Sequence, residues 1–124
     1  MDLHLVGRGT RITDDVRSTC ERKLARLERL EPKLTRVDVE VIAEHNPRQG
    51  GTHRIEVVAV TPRKTYRGHG EATKVDKALD VVVARVERQI RDHHEKKRAR
   101  VLAGARRAVT SAKVQGVEGA RETG

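Results

Sequence analysis

Tyr66 is the only Phe, Tyr or Trp among the 124 residues of this sequence. Any core must therefore be assembled from Val, Leu, Ile and Ala. Such side chains fill a thin two-layer fold and do not wall a deep ligand cavity. Charged residues (36%) are as abundant as hydrophobic ones (35%), enough for one domain with one modest core. A sizeable small-molecule site, and with it a small-molecule substrate or a cofactor, is not expected.

The apolar residues fall into alternating and helical patterns. Residues 2–7 alternate, with Leu3 and Leu5 on one face, and predict a short strand broken by Gly7-Arg8-Gly9. Thr13 predicts a helix N-cap, with Asp14 and Asp15 in the first turn where the helix dipole favours negative charge. Val16, Cys20, Leu24, Leu27 and Leu30 follow at helical spacing, and Pro32 ends the run. Period two then governs residues 34–44, with Val37, Val39, Val41 and Ala43 opposite Asp38, Glu40 and Glu44. A turn-rich connection is expected at 45–51. The next strand, 52–60, places Ile55, Val57 and Ala59 opposite Arg54 and Glu56, and a further strand is expected at 64–70 despite its glycines. Thr73 and Asp76 fit a capping box for a helix from about 74 to about 98, with Val75, Leu79, Val82, Val83, Val86 and Ile90 in one stripe. The predicted class is α+β in the order β-α-β-β-β-α: a four-stranded sheet with both helices on one face and the other face wet. Residues 1–100 form the expected domain, and 101–124, rich in Gly, Ala, Ser and Thr, are expected to be a flexible basic tail or linker.

Net charge is +9, and 19 of the 27 basic residues are Arg, whose forked guanidinium binds phosphate bidentately. This balance points to polyanions. The excess is uneven: residues 73–100 hold nine basic against five acidic side chains, whereas 1–72 hold 14 against 11. At helical spacing Lys74, Lys77, Arg85 and Arg88 share a stripe roughly opposite the apolar one, and Arg22, Arg26 and Arg29 share the solvent side of the first helix. The open sheet face carries Asp38, Glu40 and Glu56 instead. Readers of single strands stack bases on sheet aromatics, and these strands offer only Tyr66. Phosphate contacts from the helices, recognising shape more than sequence, are the expected mode.

No catalytic or metal constellation emerges. The six histidines are scattered without zinc spacing, and the lone Cys20 offers no internal disulfide and fits a reducing cytosol. Gly7-Arg8-Gly9 lacks both the third glycine of a dinucleotide fingerprint and the Lys of a P-loop, so it is read as a turn with Arg8 facing phosphate. No apolar run approaches a membrane span and no signal-peptide core opens the chain, so it reads as cytoplasmic with no membrane partner.

The stretches LHLVGRGTRITDDVR, KLARLE, VDVEV and above all GEATKVDKALDVVVARVERQIRDHHEKK resemble the ribosome hibernation promoting factor and protein Y family, also called sigma-54 modulation or S30EA-like proteins. The resemblance spans residues 1 to about 98. It implies a layout similar to double-stranded-RNA-binding domains and no enzymatic activity. It also implies binding to 16S rRNA of the small ribosomal subunit (30S or 70S), in the channel shared by mRNA and the A- and P-site tRNAs. Translation would be inhibited there by steric occupancy, in stress or stationary phase. The family's basic contacts carry over to Lys23, Arg26, Arg85, Arg88 and Lys96, while Arg8, Arg22, Arg29, Lys74, Lys77, Arg91 and Lys97 are added from the charge map. Lys74 and Asp76 depart from the family pattern ahead of the second helix. Nothing after residue 100 resembles the ribosome-pairing domain of long members, so this chain is expected to silence single ribosomes without joining them. The rival readings are a general double-stranded-RNA or DNA binder and an RNA-modifying enzyme.

Overall fold

Parallel strands need a long crossover, and the first helix supplies it. In the computed structural model, which describes residues 1–46 and 50–117, the order is β1 (Asp2–Arg8), α1 (Asp14–Leu30), β2 (Arg36–Asn46), β3 (Gly50–Val60), β4 (Thr65–Ala72) and α2 (Val75–Val117). The sheet order is β1-β2-β3-β4: β1 and β2 pair in parallel across α1, and β2, β3 and β4 form an antiparallel meander. This is the α+β, β-α-β-β-β-α architecture expected from the apolar patterns.

Register explains which face is buried. Leu3, Val37, Ala59 and Tyr66 stand in one cross-strand row, and Leu5, Val39, Val57 and Gly68 in the next. Gly7, Val41, Ile55 and Gly70 make the third. Against these rows lie Cys20, Leu24 and Leu27 of α1 and Ala78, Leu79, Val82, Val83, Val86 and Ile90 of α2, all buried. Both helices therefore cover the same face of the sheet.

The strand ends differ from the sequence reading in small, explicable ways. β1 continues through Arg8, and the break falls at Gly9, whose φ of 69° lies in the left-handed region that favours glycine. The β2–β3 ladder runs to the Asn46–Gly50 pair, so residues 45, 46, 50 and 51 of the expected turn belong to strands instead, and residues 47–49 lie outside the described residues. β4 is a full strand, and its glycines are what let α2 approach. A Cβ on Gly70 would meet the Ala78 carbonyl oxygen at 2.8 Å, and one on Gly68 would meet Val86 Cγ2 at 3.0 Å.

Helix ends follow local chemistry. Thr13 caps α1, its hydroxyl accepting from the Val16 N–H at 3.2 Å, and the Glu31 N–H closes the last turn on the Leu27 carbonyl at 2.8 Å, just before Pro32. In α2 the first helical bond runs from the Ala78 N–H to the Lys74 carbonyl at 3.0 Å. Lys74, rather than the expected Thr73, thus occupies the N-cap. Nor does α2 end near residue 98; it continues to Val117. Apolar periodicity stops because the core stops, but residues 99–115 hold no Pro and many Ala and Arg, which favour a helix on their own. The chain forms two compact units, Met1–Arg91 and one that starts at Asp92. In the second, Val101 and Leu102 are exposed.

Candidate nucleic-acid interface

α1 and α2 lie side by side over the sheet, and the contacts between them show their relative direction. Lys23 of α1 pairs with Asp80 of α2 through Nζ and Oδ1, and it also donates to the Asp76 carbonyl at 3.3 Å. One turn further along α1, Arg26 Nη2 meets Glu87 Oε1 at 3.0 Å, so the helices run the same way. Glu87 in turn faces Arg91 Nη2 at 4.0 Å. The bond from Lys23 holds the Asp80 carboxyl below its ordinary pKa. The two inner cations differ in exposure: the Lys23 side chain is 17% exposed, that of Arg26 55%.

The expected site residues fall into groups. Arg22 and Arg29 of α1, Lys77 and Arg88 of α2 and Lys74 at its cap are all exposed, and none makes a salt bridge among the described residues. Arg26 and Arg91 are exposed but tethered to Glu87. Lys23 is drawn inward as a helix-to-helix tie. Arg85 turns the other way, donating from Nη1 to the His69 carbonyl of β4 at 2.7 Å, and Gln89 makes a similar bond to the Arg67 carbonyl at 2.6 Å. Arg8 stands apart: it follows Asp2, His4 and Val6 on the open sheet face, where it pairs with Glu40. Lys96 and Lys97 are exposed in the second unit.

The open sheet face has a different character. Four of its carboxylates, Asp38, Glu40, Glu56 and Glu71, have an Arg partner: Arg36, Arg8 and, for the last two, Arg54; Asp2 and Glu44 add further negative charge to this face. A shallow hollow of about 380 Å³ there is lined by His4, Val6, Asp38, Glu40, Glu56 and Val58 among others, a surface that does not attract phosphate. Among the described residues no group of three or more His, Cys, Asp or Glu is placed to hold a metal, and no helix is long and apolar enough to cross a membrane.

The residue that sequence reasoning passed over is Glu87. It reads as one more interleaved acid on a charged helix, yet its side chain is only 8% exposed and sits between two arginines. Its spacing from the apolar stripe is the one available signal: it follows Val83 by four residues and Val86 by one.

This polarised β-α-β-β-β-α unit has known counterparts. A family model described as sigma 54 modulation protein / S30EA ribosomal protein matches residues 3–98, from Leu3 in β1 to Arg98 in α2. The chain belongs to that family. A ribosome hibernation promotion factor of Mycobacterium tuberculosis (strain ATCC 25618 / H37Rv) is 34% identical over 119 residues, covering 95% of this chain and 53% of that protein. The chain thus spans about half the length of this curated family member. Among solved structures, the N-terminal domain of protein Y from Thermus thermophilus superposes with a TM-score of 0.61 at 29% identity, covering 75% of this chain and 99% of that one. A ribosomal subunit interface protein from Coxiella burnetii gives a TM-score of 0.67 at 17% identity, over 77% and 99% of the respective chains, and shares the fold.

Proposed function

We propose that this chain is a ribosome hibernation factor that binds 16S rRNA of the small subunit through its helical face. Lodged in the channel used by mRNA and by A- and P-site tRNA, it silences translation by occupancy, without catalysis. The observation that carries this reading is the uncompensated cation array of Arg22, Arg29, Lys77 and Arg88, on a domain whose opposite face is locally neutralised. Rigid helices presenting guanidinium and ammonium groups suit the phosphates of folded RNA, whose shape they meet without reading bases. Family membership and the 34% identical hibernation promotion factor support the ribosome as the source of that RNA.

Within the interface, Arg22, Arg26, Arg29, Lys77, Arg88 and Arg91 are the phosphate contacts, and Lys74 extends them; Lys96 and Lys97, in the second unit, are further candidate contacts in their own right. Lys23 and Arg85 act mainly by fixing α2 to α1 and to β4. Arg8, on the opposite face, contributes little. Sedimentation with purified subunits tests the reading. The chain should pellet with small subunits and whole ribosomes and should be displaced by mRNA with tRNA. Equal pelleting with large subunits, or with arbitrary duplex RNA, would establish a general RNA binder instead.

A further inference from the structure

With the ribosomal reading as its premise, we propose that Glu87 is a positioning residue for RNA binding: an acid inside the basic face that aims Arg26 and Arg91 at phosphate. A nearly buried carboxylate in a surface that must attract polyanions needs a reason, because it lowers the local potential and is costly to desolvate. The geometry supplies one. Glu87 Oε1 and Oε2 lie 3.0 and 3.4 Å from Arg26 Nη2, and Oε2 lies 4.0 Å from Arg91 Nη2. One carboxylate thus meets an arginine from each helix.

Each arginine is engaged through Nη2, while its side chain remains more than half exposed, at 55% for Arg26 and 62% for Arg91. A guanidinium has five N–H donors in a fixed fork, so a carboxylate on one Nη2 hydrogen leaves the second Nη2 hydrogen, with its neighbour on the open edge, to grip a phosphate. A free arginine must surrender rotamer freedom to make that grip, and one already tethered surrenders less. Glu87 itself is held by burial beside Val83, Val86 and Ile90, so the anchor is rigid. Lys23 and Asp80 offer a contrast: there the cation is the inward-drawn partner, at 17% exposure, and the pair serves only to tie the helices.

Simple electrostatics and positioning predict opposite signs. Replacing Glu87 with Gln raises the net charge by one, which by attraction alone strengthens binding to RNA and steepens its salt dependence. Positioning predicts that Glu87→Gln weakens binding to small subunits by about threefold to tenfold. The slope of log K against log salt should become shallower by about 1 to 2, as two phosphate contacts are lost in part. Glu87→Met, apolar and of similar volume, keeps the space filled and should show the same loss, whereas a role in packing alone would be rescued by it. In an Arg26→Gln/Arg91→Gln background, Glu87→Gln should have no further effect on binding. Thermal unfolding of each variant separates folding from binding. If wild type binds and Arg88→Glu weakens binding, but Glu87→Gln and Glu87→Met bind equally well or better, the positioning role is overturned and the ribosomal reading stands. If the wild-type chain does not bind small subunits, both fall together.

Discussion

Replacing Gly70 with Ala is a stringent test of how α2 is seated. The added methyl would lie 2.8 Å from the Ala78 carbonyl oxygen, 3.0 Å from Val81 Cγ1 and 3.0 Å from the Val82 nitrogen. Comfortable carbon–carbon contacts are about 3.5–4.0 Å, so the clash amounts to roughly half an ångström or more. Two of the three atoms are helix backbone and have no rotamer to change. The helix must lift from β4 or the strand must bend away. Overpacking of this kind costs about 1–3 kcal/mol, offset by up to about 1 kcal/mol from the stiffer unfolded chain, for a net loss of roughly 1–2 kcal/mol. For a domain of this size that lowers Tm by about 4–15 °C. Gly51 is the control: nothing lies within 4 Å of its would-be Cβ, so Gly51→Ala should be near neutral. Gly68→Ala should fall between, since its 3.0 Å contact is with the Val86 Cγ2 methyl. Melting followed by circular dichroism, with urea titration as a second measure, orders the three. A Gly70→Ala protein that melts within about 2 °C of Gly51→Ala would refute the proposed seating.

The charged face and the core yield further expectations. Arg22→Glu with Arg88→Glu should weaken small-subunit binding and leave the melting temperature nearly unchanged, because both side chains are exposed; normal binding would place the interface elsewhere. For the wild type, about six phosphate contacts give a log K against log salt slope of roughly −4 to −5, and a flat response would contradict a phosphate-directed face. Lys23 holds the Asp80 carboxyl below its ordinary range, so its contribution is present above about pH 4 and is lost as pH falls through the lower folded value. Asp80→Asn should flatten acid unfolding in that window, and an unchanged acid profile would show the bridge to be idle. Burial pushes the Cys20 thiol up to about 11, so its contribution is present below about pH 9 and lost as pH rises toward 11. Thiol reagents should label it only when the protein unfolds, and rapid labelling of the native protein would count against the packed core.

Periodicity made most of this fold legible. Alternation at Val37, Val39 and Val41 reports a one-sided strand directly, because a register slip by one residue would expose all three. The α1 boundaries were legible for the same reason that they form: Thr13 and Pro32 act within a turn of themselves. Three features were not. The length of α2 was hidden because an apolar stripe reports burial, and a helix can outlast its packing. The glycines of β4 read as weak strand formers, since their use lies in Ala78 and Val86, residues distant in sequence. The roles of individual cations were also hidden. Helical spacing places Lys23, Arg26 and Arg85 on or beside the basic surface, but whether each is available depends on Asp80, Glu87 and the His69 carbonyl. Those partners are set by packing between elements, which no local pattern encodes.

The distribution of ion pairs bears on how the domain meets its partner. On the sheet, Arg8, Arg36 and Arg54 are each matched by an acid on the same or a neighbouring strand. Such exposed pairs add little stability. Their larger effect is on the field: they cancel within a few ångströms and leave the sheet side without a strong potential. On the helices two acids, Asp80 and Glu87, pair across the α1–α2 seam, while Arg22, Arg29, Lys77 and Arg88 are exposed without an ion pair among the described residues. Within the Met1–Arg91 unit, such a distribution favours approach of a polyanion to the helical side. With Tyr66 buried in the core, no aromatic of the sheet is left for bases to stack on. If the proposed interface is right, recognition rests on the spacing of cations on two parallel helices, and that spacing depends on the ties between the helices. On the proposed reading, Glu87 and Asp80 therefore matter to the basic face as well as to the seam: by pairing across it they set the spacing of the cations that an RNA would meet.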